Sequence, residues 1–238
     1  MPEATQFVPH LNGRVHYRET GKGNCVVFLH GFLENRQIWN SAHRRFQKNY
    51  RVVSIDLPGH GLTDNFGYVH SMEDMAEAVW AVLRHLKIRR CFMVGHSMGG
   101  YTALAFGEKY PDAVKGICLF HSTASADSEL RKKDRDRTIQ LVKKNYTLFL
   151  KEAIPNLFYT EKHARTKHIE KNMKMAENTS LQGVVAALEG MKIRADREVM
   201  LKFSPFPIHY VIGKYDAILP EELLLKQSES AVNSLHLL

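Results

Sequence analysis

Residues 91–100 read CFMVGHSMGG, and this stretch decides the fold that we predict. An apolar run typical of a buried strand leads through Gly95–Gly99 into a helical pattern that stops before Pro111. In such a G-x-S-x-G turn the residues two before and two after the tip must be small, because strand and helix meet very closely. Ser97 is therefore predicted to stand exposed at the tip. There its hydroxyl lies over helix N–H groups that favour a developing negative charge, which makes Ser97 a candidate nucleophile.

Short apolar runs recur along the chain, with helical patterns between them. The runs are too continuous for half-exposed strands and suit a sheet covered on both faces. They span residues 25–29, 52–57, 91–94, 117–120 and 208–212. Helices are expected over 72–86 behind a Ser71-to-Asp74 capping signature, over 98–110, and over 220–230. With an opening hairpin around Asn12-Gly13, this order predicts an α/β fold with a mostly parallel, doubly wound sheet and helices on both faces.

Composition limits the class of protein. The chain has 238 residues, of which 44% are hydrophobic and 24% charged, and this composition excludes disorder, collagen and coiled coil. No apolar run approaches the roughly 18 residues needed to span a bilayer, and the first residues lack the order of a signal peptide. We therefore expect a cytoplasmic protein. Its odd cysteine count, Cys25, Cys91 and Cys118, each in an apolar run, predicts reduced core thiols.

Residues 122–204 break the alternation, because they offer several helical patterns and no strand. We predict a helical lid inserted between a first core part, 1–121, and a second, 205–238. The net charge of +8 is concentrated here: residues 127–175 hold 13 Lys and Arg against 7 Asp and Glu. Both signs alternate and no aromatic-plus-basic motif accompanies them, so we expect a solvated helix face and no nucleic-acid binding.

The turn at Ser97 resembles that of the α/β-hydrolase superfamily, and three further landmarks follow the order of serine esterase-like members. They are His30-Gly31-Phe32, the turn Asp56–Gly61, and Gly213–Asp216 after a predicted strand. The resemblance implies that the amides of Phe32 and Met98 form the oxyanion hole, that the second landmark is mainly structural, and that Asp216 is the triad acid. The alternative for Asp216 is that it only caps the turn before Pro220.

The resemblance also implies a catalytic histidine after Asp216, and His236 is the one histidine left. It lies within 234–238, which has the pattern of a last core strand, whereas the family places this histidine in the loop beyond that strand. We therefore expect that the chain is truncated and that the histidine lies beyond Leu238. The alternative is that His236 has been recruited. His121, at a strand end near the same edge, is expected to contact substrate or to pack rather than to transfer protons.

Together these features imply a cofactor-free serine hydrolase that acts on carboxylic esters or thioesters of small molecules. Carbon–carbon bond hydrolysis of a diketone-like substrate and peroxy-acid chemistry remain alternatives within the same fold. A ligand-binding protein without turnover is the alternative outside catalysis. No metal site, cofactor, nucleic acid or membrane is implied, and the oligomeric state is left open.

Overall fold

A computed structural model describes residues 5–159, 165–231 and 236–237 of the chain. Within these ranges it contains one sheet of eight strands and nine α-helices, which confirms the predicted α/β fold. The strands are β1 (Gln6–His10), β2 (Gly13–Thr20), β3 (Cys25–Leu29), β4 (Arg51–Ile55), β5 (Cys91–His96), β6 (Val114–Phe120), β7 (Ile208–Val211) and β8 (His236–Leu237). The helices are α1 (Asn40–Phe46), α2 (Met72–His85), α3 (Met98–Lys109), α4 (Glu129–Lys144), α5 (Tyr146–Ala153), α6 (Arg165–Glu177), α7 (Leu181–Lys192), α8 (Glu198–Phe203) and α9 (Glu221–Ser230).

The sheet has the strand order β1-β2-β4-β3-β5-β6-β7-β8. The hairpin β1–β2 and the pair β2–β4 are antiparallel, and the remaining pairs are parallel. In register, Leu29 of β3 faces Gly95 of β5, His96 faces Phe120 of β6, and Phe120 faces Val211 of β7. The loops after these strands therefore start at one edge of the sheet, where α/β folds bind their ligands.

Local signals in the sequence account for the helices on the core. α2 starts with the predicted capping box, in which Asp74 N donates to Ser71 Oγ at 3.0 Å and Ser71 N donates to Asp74 Oδ2 at 3.1 Å. α3 ends two residues before Pro111, as expected for a residue that cannot continue a helix. The apolar stripe of α2 is fully buried and comprises Met72, Met75, Ala76, Val79, Val82 and Leu83. No helix within the described ranges is both long and apolar enough to cross a membrane.

The three cysteines lie in the sheet as free thiols. Burial raises the pKa of Cys25 to about 12 and that of Cys118 to about 11, and it raises the pKa of Cys91 as well. A thiol with so high a pKa carries little thiolate, so these side chains act as small core residues.

Helices α4 to α8 connect β6 to β7, and the described part of 122–204 contains no strand. Its two ends are joined at the core by the buried ion pair of Asp127 and Arg194. Asp127 binds Arg135 and also Arg194, whose Nη1 lies 2.6 Å away, and the Arg194 guanidinium stacks 4.1 Å from the ring centre of Tyr101 on α3. Burial alone would raise the pKa of Asp127, but the two guanidiniums lower it further than burial raises it. That this segment forms a lid, with these boundaries, stays a prediction.

Helix α7 lies directly against the loop that follows β4. A Cβ at Gly183 would stand 2.2 Å from the carbonyl oxygen of Gly59, and a Cβ at Gly190 would stand 1.6 Å from that of His70. His70 N also donates to Ala186 O at 2.9 Å, so the contact is a backbone-to-backbone one along most of the helix. Side chains at these two positions would separate the helix from the core.

Gly190→Ala is expected to destabilise the protein by about 3 kcal/mol, the upper range for overpacking, since the added methyl meets backbone atoms that cannot rotate away. Gly67→Ala is the matched control, because the nearest atom to its added Cβ is 3.9 Å distant. Thermal and urea unfolding of both variants measure the effect. Equal stabilities would show that α7 does not rest on this loop.

Candidate active site

Ser97 occupies the turn between β5 and α3 in a strained conformation, with φ 48° and ψ −114°. A Cβ at Gly95 would lie 2.3 Å from Gly99 O, and one at Gly99 would lie 2.5 Å from Leu29 O, so the turn excludes larger residues at both positions. The amide of Ser97 donates to Phe120 O at 3.0 Å, which links the turn to β6. The structure thus places Ser97 at the tip of the turn and directly before the first residue of a helix, as the sequence predicts, but the residue is half-buried where it was expected to be exposed.

The loop after β3 carries His30, Gly31 and Phe32 to the same edge. His30 is fully buried and supports the loop, because its Nε2 accepts from Leu57 N at 2.9 Å and its Nδ1 lies 2.7 Å from Gly31 O. Since β3 and β5 are neighbours, Phe32 and Met98 follow adjacent strand ends. Their role as oxyanion-hole donors remains a proposal.

A carboxylate that the sequence analysis missed joins this loop to the turn. Glu34 Oε2 accepts from Gly31 N at 2.7 Å and lies 2.7 Å from His96 Nδ1, next to Ser97 in sequence. A Cβ at Gly31 would stand 2.8 Å from Glu34 Oε2 and 2.9 Å from His96 Nδ1, so a side chain at this position would push the pair apart. The sequence shows only that Glu34 lies three residues after Gly31. This spacing does not reveal that its partner, His96, is 62 positions away.

The charges of this pair stabilise each other. Burial alone would raise the pKa of Glu34 and lower that of His96. The contact reverses both effects: the pKa of Glu34 falls below its ordinary value and the pKa of His96 rises above its own. Glu34 is therefore an anion and His96 gains cationic character beside the candidate nucleophile.

Asp216 follows β7 and performs two tasks with its two oxygens. Oδ1 accepts from Ile218 N at 2.8 Å and from Leu219 N at 3.0 Å, which is the turn-capping role. Oδ2 lies 2.9 Å from His121 Nδ1. Burial alone would raise the pKa of Asp216, but these hydrogen bonds hold it below its ordinary value. One carboxylate thus caps the turn with one oxygen and contacts a histidine with the other.

The structure places the remaining histidines as follows. His121 contacts Asp216, a contact that its position at a strand end did not reveal. His236 lies in β8, with its backbone in register with Tyr210 of β7, so it occupies a strand as expected from the sequence; its side chain lies outside the described part. His163 lies outside the described residues, as does everything after Leu237. Within the described ranges no three His, Cys, Asp or Glu side chains come together as metal ligands.

The turn Asp56–Gly61 has the structural role that its resemblance implied. Asp56 is buried, and its carboxylate accepts from Arg36 N at 2.7 Å and Leu62 N at 3.0 Å while lying 2.6 Å from His16 Nδ1. Gly61, at φ +57°, leaves the space that this carboxylate fills. Through Asp56 the turn thus supports the loops at the site edge.

Known proteins agree with this architecture. The family model of the alpha/beta hydrolase fold matches residues 24–234, and the chain belongs to this family. A 2-hydroxy-6-oxononadienedioate/2-hydroxy-6-oxononatrienedioate hydrolase from Burkholderia vietnamiensis is 34% identical over 157 residues, which are 59% of this chain and 54% of that protein. A 2-(acetamidomethylene)succinate hydrolase from Mesorhizobium japonicum is 28% identical over 119 residues, 49% of this chain and 43% of that protein.

Among solved structures, a thermophilic esterase from Thermogutta terrifontis, with malate bound, superimposes with a TM-score of 0.91 at 28% identity. The superposition covers 98% of this chain and 89% of the esterase chain. The chain spans about half the length of the curated relatives it matches.

Glu34→Gln is expected to slow the reaction of Ser97 with an organophosphonate, by no more than the about 10²–10³-fold that loss of a whole oxyanion-hole donor costs. The amide keeps the shape and its oxygen can still accept hydrogen bonds from both partners, but it carries no negative charge to pair with a cationic His96. Phosphonylation rates of the wild type, of Glu34→Gln and of the exposed control Glu229→Gln measure the effect.

The stability effect of the same variant depends on pH. The contribution of Glu34 is present above its ordinary pKa of 4.5 and is lost as the pH falls through its lower folded value. The contribution of His96 is present below its ordinary pKa of 6.5 and is lost as the pH rises through its higher folded value. The difference in Tm between wild type and Glu34→Gln is therefore largest between pH 4.5 and 6.5 and smaller at pH 9. A difference in Tm that stays the same from pH 4.5 to pH 9 would contradict the ion pair.

Proposed function

We propose that the chain is a cofactor-free serine hydrolase of carboxylic esters or thioesters, with Ser97 as nucleophile and Asp216 as the triad acid. The observation that carries the proposal is the strained conformation of Ser97, at the tip of a strand-to-helix turn whose sheet edge also holds Asp216. Backbone strain of this kind persists where the surrounding structure maintains it, and it is concentrated at functional sites. Family membership and the esterase fold from Thermogutta terrifontis support the same conclusion.

In the proposed reaction Ser97 Oγ attacks the carbonyl carbon and its proton passes to the triad histidine. We expect that histidine beyond Leu238, with His236 as the alternative. Asp216 accepts a hydrogen bond from the imidazole, fixes its tautomer and stabilises the imidazolium. The amides of Phe32 and Met98 would bind the oxyanion of the tetrahedral intermediate, aided by the N-terminus of α3. Collapse of the intermediate breaks the ester or thioester bond, and the imidazolium gives its proton to the departing oxygen or sulfur, which leaves as an alcohol or thiol. Water, deprotonated by the same histidine, then attacks the acyl-enzyme, and the carboxylic acid leaves as Ser97 regains its proton.

Segment 122–204 would form the cover of the substrate site. α4 begins near the loop of Asp216, since Arg131 Nη2 donates to Ile218 O at 2.6 Å. Tyr159 also stacks on Tyr215, with ring centres 4.3 Å apart. These contacts support a lid that rests on the loop of the acid, so substrate would bind between the helical segment and the sheet edge.

Carbon–carbon bond hydrolysis is the second candidate. The observation that favours it is that two relatives, from Burkholderia vietnamiensis and Paraburkholderia phymatum, at 34% and 32% identity, are hydrolases of 2-hydroxy-6-oxononadienedioate. The same residues would serve this reaction, because it also proceeds by addition to a carbonyl group. A side-by-side assay with p-nitrophenyl acetate and that dioate distinguishes the two, since release of p-nitrophenolate alone supports the ester activity.

Ser97→Ala is expected to abolish covalent labelling by an organophosphonate and ester hydrolysis, while the Tm changes little because only one hydroxyl is removed from a half-buried position. Ser41→Ala, at an exposed position of α1, should leave labelling intact. Mass spectrometry of the labelled peptide identifies the modified residue. Labelling of Ser97→Ala at the wild-type stoichiometry would refute the nucleophile.

The chain should also be assayed beside a version extended to the natural stop codon of its gene, each with and without His236→Ala. Turnover by the extended chain alone would support a triad histidine after Leu238. Equal turnover by both, lost in His236→Ala, would assign the role to His236. Labelling without turnover in every version would favour a ligand-binding protein.

A further inference from the structure

His121 has an uncommon backbone conformation. It follows β6 with φ +46°, in the left-handed region that only a few per cent of residues other than glycine adopt and that costs energy in the absence of compensating contacts. Its amide donates to Val211 O at 2.9 Å, so the peptide is held against β7. The side chain remains 31% exposed, and burial therefore does not explain why the strain is tolerated.

The neighbouring loop is shaped to receive the imidazole ring. A Cβ at Gly213 would lie 2.1 Å from His121 Cε1 and 2.8 Å from Nδ1, so any other residue at 213 would displace the ring. The ring also packs against Phe120, with centroids 5.0 Å apart, and against His96, at 6.1 Å. Two independent features, the strained backbone of His121 and the missing side chain of Gly213, therefore serve one ring position.

That position lies between the candidate nucleophile and the candidate acid. Ser97, His121 and Asp216 follow β5, β6 and β7, three neighbouring strands. His121 Nδ1 lies 2.9 Å from Asp216 Oδ2, whereas Oδ1 of the same carboxylate is held by two backbone amides. The ring thus restrains the one oxygen of Asp216 that the turn leaves free.

Building on the proposed function, we infer that His121 is a positioning residue for the triad acid. It donates its Nδ1–H to Asp216 Oδ2 and so prevents the carboxylate from rotating about its bond to Cβ. An ionised carboxylate oxygen has two lone pairs, and the second on Oδ2 remains for the histidine of the triad. The acid would then carry two histidines, one that fixes it and one that it orients. His121 itself transfers no proton in this arrangement.

The test compares His121→Asn with His121→Gly. Both residues tolerate a positive φ, so neither variant is strained at this position. The asparagine amide nitrogen, bonded to Cγ like Nδ1 of histidine, can still donate to Asp216, whereas glycine removes the donor. NMR of the Asp216 carboxyl carbon against pH gives its pKa without requiring turnover, and organophosphonate labelling of Ser97 against pH gives the kinetic effect.

The charged groups around His121 in the described ranges are Asp216 on the loop after β7 and His96 on β5, with Glu34 behind His96. Loss of the donor therefore acts mainly on Asp216. In His121→Gly the pKa of Asp216 should rise towards its ordinary value of 3.8, while in His121→Asn it should remain near that of the wild type. Labelling should be about tenfold slower in His121→Gly. This is the lower end of the loss seen when a metal-binding side chain loses the hydrogen-bond partner that orients it. His121→Asn should restore the labelling rate.

An unchanged pKa of Asp216 in His121→Gly would overturn the inference, as would labelling as fast as in the wild type. If His121→Asn keeps the low pKa of Asp216 but labels as slowly as His121→Gly, the ring itself accepts the proton and the positioning role is wrong. Ser97→Ala separates these outcomes from failure of the proposed function. Retained labelling in that variant refutes the nucleophile, whereas the titration of Asp216 still tests His121.

Discussion

The rest of the site depends on how closely α3 lies against β3 and β5 at the turn around Ser97. Gly95 and Gly99 are in contact with backbone atoms at distances that no side chain allows, and the serine takes a strained φ as a result. The N-terminus of α3 is thereby fixed beside the carboxyl ends of the parallel strands β3 and β5. Because β3 leads into the loop of Phe32, β5 leads into the turn of Ser97, and β6 pairs with β5 before the loop of His121, the spacing of this edge follows from the one turn.

Two carboxylate–histidine pairs flank the turn, one from each side. Glu34 with His96 joins the loop after β3 to the strand end that precedes Ser97, and His121 with Asp216 joins the loop after β6 to the loop after β7. The two imidazole rings lie 6.1 Å apart. Each pair is short and partly screened from water, so it holds a loop in place more firmly than an exposed ion pair would. The geometry around Ser97 is therefore maintained by side chains from three different loops.

Local signals made the fold and the turn at Ser97 predictable, and long-range contacts made the rest unpredictable. The turn at Ser97, the capping box of α2 and the strand-like pattern around His236 each depend on neighbouring residues, and the structure contains all three. Glu34 and His121 acquire their roles from partners 62 and 95 positions away, which no periodicity reveals. For the same reason the two readings of Asp216, cap or acid, could not be separated beforehand.

The contact of α7 with the core also limits how the helical segment can move. Gly183 and Gly190 lie about two helical turns apart, and at each the missing side chain makes room for a carbonyl oxygen of the underlying loop. A helix seated in this way can tilt off its support but cannot slide along it, because a shift by one residue would press side chains onto backbone. Any rearrangement of the helical segment is therefore expected to leave the axial position of α7 unchanged, because the backbone of α7 rests directly on the loop after β4.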